Sequence, residues 1–206
     1  MNSLSAIVQS KRFHIYSGVL LSALLGSFAY VHFIQFQETR EWTLLLPVIS
    51  ETLTAGFFIF RSIPKTVSLA PSDWMVAVVG SFAPLFLRPA AWGVLPLASI
   101  VMTLGVILQI ASLISLNRSF ALVAARREIK TAWMYRIVRH PIYASYFLIF
   151  GGYVLMHTTL ANLLVYALTM GFLYARIFRE EKHLALDPVY RTYMLEVRYR
   201  LIPFVY

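Results

Sequence analysis

The chain has 206 residues, of which 59% are hydrophobic and only 13% are charged, with a formal net charge of +9. Soluble domains carry about 25% charged residues, so the composition indicates one integral membrane domain over residues 1–206. The absence of cysteine excludes disulfides, thiolate metal sites and cysteine nucleophiles, and the positive charge requires no nucleic-acid partner because it can mark cytoplasmic loops.

Six apolar runs follow one another along the chain, at residues 13–36, 42–60, 74–87, 92–116, 141–156 and 160–178. They predict an all-α, polytopic membrane helix bundle with about six transmembrane helices. The third run is short and contains Pro84, which predicts a tilted or kinked helix. If that run were re-entrant instead, the chain would cross the membrane five times.

The loops between the runs predict the topology. Only residues 157–159 separate the fifth and sixth runs, and so short a connection predicts an antiparallel hairpin of helices 5 and 6. With six crossings, the basic residues near 11–12, 61–65 and 118–139 and those of the C-terminal tail fall on one side. By the positive-inside rule, both termini are then cytoplasmic. We expect a multi-pass protein of a bacterial-type inner membrane or plasma membrane, with membrane lipids around it.

The tail after residue 179 carries a broken apolar stripe together with several arginines and tyrosines. This pattern predicts a C-terminal amphipathic cytosolic segment that can lie along the membrane surface. Asp187 stands before Pro188, and this pair is typical of a helix start, so we predict a short second helix from there.

The segment 135–143 places two arginines, one histidine and two tyrosines between two apolar runs. A residue before proline avoids helical geometry, whereas proline suits a first helical turn, so helix 5 is predicted to begin at Pro141, after His140. The positive end of that helix favours an anion. The alternative is an ordinary membrane anchor of basic and aromatic residues, although that role requires neither the histidine nor the break.

Arg176 and Glu180 lie four residues apart and therefore share one helix face. One interpretation is an intrahelical salt bridge. The other is that Glu180 binds a cationic group while Arg176 meets an anionic or carbonyl oxygen. A ligand with both an ammonium and a carboxylate group, such as S-adenosylmethionine, would suit Glu180 together with the start of helix 5.

Glu51 lies inside the second apolar run, where a lone carboxylate is costly. Hydroxyl groups stand beside it at Ser50, Thr52 and Thr54. We favour a protonated or hydroxyl-bonded packing group over a functional carboxylate here.

The motifs of the second half of the chain resemble the isoprenylcysteine carboxyl methyltransferase family, which is similar to the membrane phospholipid N-methyltransferases. The motifs are residues 116–120, the segment 135–143, Arg176 with Glu180-Glu181, Tyr190-x-x-Tyr193 and Leu201-Ile202-Pro203. The resemblance covers residues 105–206, which would be the catalytic half, whereas residues 1–104 would supply N-terminal transmembrane helices.

The resemblance implies an enzyme that uses S-adenosylmethionine, bound in a cytosolic pocket beside a lipid-accessible tunnel. The acceptor would be a lipidic or small hydrophobic molecule, and the carboxylate of an isoprenylcysteine-type substrate is favoured. Three alternatives stay open: a phospholipid headgroup N-methyltransferase, an NADPH-dependent sterol-type reductase, and a non-catalytic protein that binds anionic lipid.

Site residues follow from the same resemblance, position by position. Arg176 would be the catalytic residue that faces the methyl acceptor, and no residue is predicted to bind a metal. The expected cofactor contacts come from Arg127, Glu128, Ile129, Lys130, Tyr135, Arg139, His140, Pro141, Ile142, Tyr143, Glu180 and Glu181. The family usually has glycine just before the first tyrosine, whereas this chain has Ala132-Trp133-Met134, so we expect a reshaped turn over residues 129–134.

Overall fold

The computed structural model describes residue 7 and residues 10–205, apart from the side chain of Arg118. The described part is mainly helical, which confirms the all-α class. The α-helices, in chain order, are α1 (Lys11–Thr39), α2 (Leu45–Phe60), α3 (Pro71–Phe82), α4 (Ser99–Leu116), α5 (Pro141–Met156), α6 (Leu160–Leu184) and α7 (Pro188–Glu196). Short 3-10 helices span Trp42–Leu44, Ala83–Phe86, Pro96–Ala98, Asn117–Ser119 and Trp133–Arg136.

Four helical segments of the described chain are long and apolar enough to cross a membrane: Lys11–Thr39, Trp42–Phe60, Pro96–Leu116 and Leu160–Leu184. This confirms a polytopic membrane bundle. The other two predicted crossings form shorter helices, because α5 has 16 residues and α3 has 12. At 1.5 Å per residue these span about 24 and 18 Å, against a hydrocarbon core of about 30 Å. Six crossings and cytoplasmic termini therefore stay predictions.

The predicted irregularity in the third run lies at its proline. Helix α3 ends at Phe82, and the chain continues as the 3-10 helix Ala83–Phe86, which contains Pro84. Proline lacks the N–H that an α-helix would use at this point, so the change of helix type follows from the sequence.

The helices pack most extensively in three pairs: α1 with α2, α3 with α6, and α4 with α5. Residues 157–159 join α5 to α6 in the predicted hairpin. Nevertheless, α5 packs more extensively against α4 than against its hairpin partner. The start of α5 is therefore held against the end of α4 as well as against α6.

Two glycines allow the close approach of α4 and α5. A Cβ atom on Gly152 would lie 2.7 Å from the Cγ of Met102 and 2.9 Å from the carbonyl oxygen of Ala98. A Cβ atom on Gly105 would lie 2.7 Å from the Cγ1 of Ile149. Real side chains do not tolerate such distances, so both positions require the absence of a side chain.

A two-stranded antiparallel ladder, which the apolar pattern did not predict, ties the two halves of the chain together. Strand β1 (Thr66–Val67) pairs with strand β2 (Ala125–Arg126), with Thr66 opposite Arg126. The backbone N–H of Lys65 extends the ladder by donating to the carbonyl of Arg126 at 2.7 Å. This ladder fixes the segment after α4 to the connection between the end of α2 and the start of α3.

The C-terminal segment begins as predicted and then folds back onto the start of α5. Helix α7 starts at Pro188, and the side chain of Asp187 accepts a hydrogen bond from the N–H of Val189 at 3.0 Å. After α7, the backbone N–H groups of Arg139 and His140 donate to the carbonyls of residues 199 and 200, at 2.9 and 2.8 Å. The tail therefore docks on the protein itself.

We predict that Gly152→Ala destabilises the bundle, because the added methyl group would press on the backbone and side chain of α4. The expected loss is about 1–3 kcal/mol of unfolding free energy, as for other overpacked sites. Thermal unfolding in detergent, followed by circular dichroism, measures it. Gly171→Ala is the matched control, since no atom lies within 4 Å of its added Cβ. Equal unfolding midpoints for the two variants would contradict this account of the packing.

Candidate functional site

A cavity of about 530 Å³ runs through the bundle. Its wall is formed by all of the long helices and by the segments 119–130 and 190–193. Most of the residues predicted for the site line this one cavity, namely Arg127, Glu128, Ile129, Lys130, Tyr135, Arg139, His140, Ile142, Tyr143, Arg176 and Glu180. Two predicted residues, Pro141 and Glu181, do not line it.

Tyr143 and Glu180 form a hydrogen-bonded pair on the cavity wall. Tyr143 lies in the first turn of α5, and its hydroxyl donates to Oε2 of Glu180, near the end of α6, at 2.5 Å. Tyr143 is buried, whereas Glu180 is half-buried. A carboxylate in this position can accept further hydrogen bonds from a cationic group in the cavity.

Arg176 does not form the intrahelical salt bridge with Glu180 that the spacing allows. Within the described chain its Nη1 donates to Oγ of Ser81 at 2.9 Å, and its Nη2 donates to the carbonyl oxygen of Ala121 at 3.2 Å. The guanidinium carbon lies 5.3 Å from the centre of the Tyr143 ring. The Nε atom is buried and has no hydrogen-bond partner in the described part of the chain, so one donor of this arginine is unsatisfied.

Glu181 binds two arginines and one histidine in the protein interior. Its Oε1 accepts from Nε of Arg139 at 2.6 Å and lies 3.1 Å from Nε2 of His140, while its Oε2 accepts from Nε of Arg200 at 2.9 Å. The side chains of Glu181 and Arg139 are both 5% exposed. The start of α5 was predicted to favour an anion, and in the structure the carboxylate of Glu181 takes this position.

Arg139 also binds other parts of the protein, and Pro141 is buried. Nη1 of Arg139 donates to the carbonyls of Val197 and Arg198, at 2.7 and 2.8 Å. Pro141 is the buried first residue of α5, and His140 before it has non-helical angles, φ −128 and ψ 60. This confirms the predicted start of the helix, whereas direct cofactor contacts from Arg139, Pro141 and Glu181 stay predictions.

The turn before Tyr135 contains a residue with positive φ, a conformation that favours glycine, although no glycine is present. Trp133 has a φ of +54°, in the left-handed region, which costs roughly 1–2 kcal/mol for a residue with a side chain. Its ring is 69% exposed. The turn is therefore accommodated by the left-handed backbone of Trp133. Tyr135 stays buried at the cavity wall.

Two tyrosines of α7 line the cavity, although they were not among the predicted contacts. Tyr190 and Tyr193 lie on one face of α7, and the hydroxyl of Tyr193 donates to the carbonyl oxygen of Tyr135 at 2.6 Å. Ile129 packs against this pair. Burial raises the pKa of Tyr135, Tyr190 and Tyr193 above the ordinary value, so all three stay neutral. The spacing Tyr-x-x-Tyr on a short helix was the available signal.

Lys130 and Glu128 form an ion pair beside this face, with Nζ of Lys130 2.7 Å from Oε2 of Glu128. The Glu128 side chain is 73% exposed. Its backbone is held by Ser119, whose hydroxyl donates a hydrogen bond to the Glu128 carbonyl at 2.9 Å. A cofactor contact from Glu128 would therefore come from its backbone more readily than from its side chain.

The opposite part of the cavity is mainly apolar and reaches between α1, α2, α4 and α5. Its apolar lining includes Leu21, Leu25, Phe28, Leu46, Met102, Val106, Ile149 and Phe150. Glu51 also faces this part, and its Oε2 lies 3.3 Å from Nδ1 of His32. The sequence suggested a neighbouring hydroxyl as the partner of Glu51. In the structure the partner is instead His32 of α1.

Comparison with known protein families finds a match in the second half of the chain. Residues 94–191 match the family model of phospholipid methyltransferases. The matched region runs from the start of α4 into α7 and contains the Tyr143–Glu180 pair and Arg176. The match confirms the predicted resemblance, since the isoprenylcysteine carboxyl methyltransferases are related to this family, and it supports a membrane methyltransferase. No curated protein sequence matches the chain significantly.

We predict that Glu181→Ala is strongly destabilising. Removing one partner from a buried ion cluster leaves Arg139 and its neighbours without a counter-ion, which costs about 3–5 kcal/mol. The unfolding midpoint in detergent should fall accordingly. Glu196→Ala removes an exposed carboxylate at the end of α7 and should leave the midpoint unchanged. If the two variants melt together, Glu181 does not hold the start of α5 in place.

Proposed function

We propose that this protein transfers a methyl group from S-adenosylmethionine to a lipidic or hydrophobic acceptor within the membrane. The observation that carries the proposal is one cavity with two different ends. One end presents a carboxylate, a buried arginine and several tyrosines, and the other is mainly apolar and lies among membrane-spanning helices. The phospholipid methyltransferase family generally uses the same methyl donor, which supports this assignment of the cofactor.

The polar end of the cavity suits the cofactor. Glu180 would accept a hydrogen bond from the ammonium group of the cofactor. The hydroxyl of Tyr143 holds the Glu180 carboxylate in place. The neutral rings of Tyr135, Tyr190 and Tyr193 would enclose the remainder. When bound, S-adenosylmethionine supplies an electrophilic methyl group on a sulfonium.

Arg176 would orient the acceptor. Two of its nitrogens donate to Ser81 and Ala121, so the guanidinium group is held in one orientation, and its unsatisfied Nε would donate to an acceptor oxygen. Arginine stays protonated in proteins, so it can align an anionic oxygen without exchanging a proton. Positioning of this kind supplies a large part of the rate in transfer reactions.

A carboxylate acceptor, such as that of an isoprenylcysteine-type substrate, fits this arrangement better than an amine. A carboxylate oxygen attacks without losing a proton, whereas a protonated amine needs a base. His140 is buried and bound to Glu181, so it is poorly placed to accept a proton from the cavity. The description of the matched family favours a phospholipid headgroup amine as the second candidate.

The apolar walls contribute by excluding water. Methyl transfer discharges the sulfonium, so a poorly hydrated site favours the transition state over the charged ground state. The apolar lining from α2, α4 and α5 would also hold the acceptor's hydrocarbon part next to the polar end. Binding and catalysis would therefore depend on the same cavity.

Binding of S-adenosylhomocysteine, the product form of the cofactor, tests the proposal. In calorimetry with the detergent-purified protein, we expect saturable binding by the wild type and at least about tenfold weaker binding by Glu180→Ala, because a hydrogen bond to a charged group contributes about 1.5–3 kcal/mol. Glu196→Ala should bind like the wild type. Absence of binding by the wild type would refute the methyltransferase, and saturable binding of NADPH instead would favour a reductase. Unchanged binding by Glu180→Ala would refute the site.

A further inference from the structure

A second, smaller pocket of about 70 Å³ lies between the beginning of α1, the end of α2 and strand β2. Its polar lining comes from His14, Ser17, Arg61 and Arg127. The remaining wall is apolar and includes Phe13 and Trp74. The pocket adjoins the large cavity, because Arg127 lines both.

Arg127 is almost fully buried, with 6% of its surface exposed. Its Nε donates to the carbonyl oxygen of Ser62 at 2.8 Å. Its Nη1 is buried and finds no hydrogen-bond partner among the described residues. A buried donor without an acceptor is costly, so this nitrogen is suited to a ligand in the pocket.

Arg61, on the other side of the pocket, is arranged in a similar way. Its Nη2 donates to Oγ of Ser17 at 2.7 Å and to the carbonyl oxygen of His14 at 3.3 Å. Its guanidinium carbon lies 5.3 Å from the centre of the Phe58 ring. Its Nε is also buried, and no residue that the structure describes provides a partner for it. These contacts fix the guanidinium group but supply no negative charge.

Neither arginine forms an ion pair with a carboxylate in the described part of the chain. Burial lowers the pKa of Arg127 to about 10, with the positive charge of Arg61 adding to the effect and Glu180 partly offsetting it. Both groups nevertheless remain charged at neutral pH. Arg127 is buried and Arg61 is half-buried. Neighbouring cations without a counter-ion are unfavourable in such surroundings, and an anion between them would relieve both charges.

We propose that this pocket binds a phosphate-class anion, either free phosphate or the phosphate of a lipid headgroup, through the guanidinium groups of Arg61 and Arg127. Arginine presents planar donors that match the oxygens of phosphate. The pocket lies where α1 begins and α2 ends, at the predicted cytoplasmic boundary, where lipid phosphates are found. Its apolar wall at Phe13 and Trp74 suits the rest of a lipid better than an aqueous ion. The pocket shares Arg127 with the large cavity, and anion binding here would be a property in addition to the proposed methyl transfer.

Ligand titrations of the full-length protein in dodecyl maltoside test the site. We expect sodium phosphate to raise the unfolding temperature saturably, beyond the effect of sodium chloride at equal ionic strength. Dioleoylphosphatidic acid should stabilise the protein at lower concentration than free phosphate if the source is a lipid, and at a similar concentration per phosphate if it is not. Dioleoylglycerol, which lacks the phosphate, should have no effect. A wild-type protein that responds to phosphate no more than to chloride, and to phosphatidic acid no more than to dioleoylglycerol, would overturn the proposal.

Arginine variants assign the site to this pocket. Arg61→Gln and Arg127→Gln should each weaken phosphate binding at least about tenfold, since a charge-assisted hydrogen bond to a buried anion is lost. Arg12→Gln removes an exposed arginine at the same end of α1 and should change the affinity by less than about twofold. Retained binding of S-adenosylhomocysteine by Arg61→Gln would show that this variant is folded. Wild-type affinity for phosphate in both pocket variants would overturn the proposal.

Discussion

The buried carboxylate of Glu181 is the interaction on which the site depends. It joins α6 to Arg139 and His140 at the start of α5, and to Arg200 in the C-terminal tail. A buried carboxylate is tolerated only when it is paired and hydrogen-bonded, and here three cationic or polar partners meet that condition. The arrangement helps to fix the relative position of α6, the start of α5 and the C-terminal tail.

The preceding residue of α6, Glu180, takes the opposite role. Successive residues of an α-helix point in directions about 100° apart. The carboxylate of Glu181 therefore binds side chains in the protein interior, while the carboxylate of Glu180 faces the cavity. Glu181 thereby positions Tyr143 and Glu180 without lining the cavity itself. Arg176, one helical turn before Glu180, completes the polar end next to the apolar part of the bundle. The same short stretch of α6 thus supplies both the support and the proposed binding groups.

The sequence predicted those features that depend on local patterns. Apolar runs located the long helices, and proline chemistry located the starts of α5 and α7 at Pro141 and Pro188. The pairing of β1 with β2 could not be predicted, because two-residue strands have no periodicity. The internal role of Glu181 also escaped prediction, since a Glu-Glu pair does not indicate which carboxylate faces the cavity. Left-handed backbone at Trp133 runs against its residue type, so only the resemblance to a family with glycine pointed to that turn.

Methyl transfer in membranes tests the central claim most directly. Membranes that contain the protein would be incubated with S-adenosylmethionine labelled on its methyl group, and the label in the lipid extract would be measured. We predict labelled lipid-soluble product with the wild type and a loss of roughly 10²–10³-fold with Arg176→Ala, the usual effect of removing an orienting donor. Arg191→Ala, which changes an exposed arginine of α7, should retain activity. Wild-type membranes that yield no labelled extract, or an Arg176→Ala variant as active as the wild type, would contradict the account.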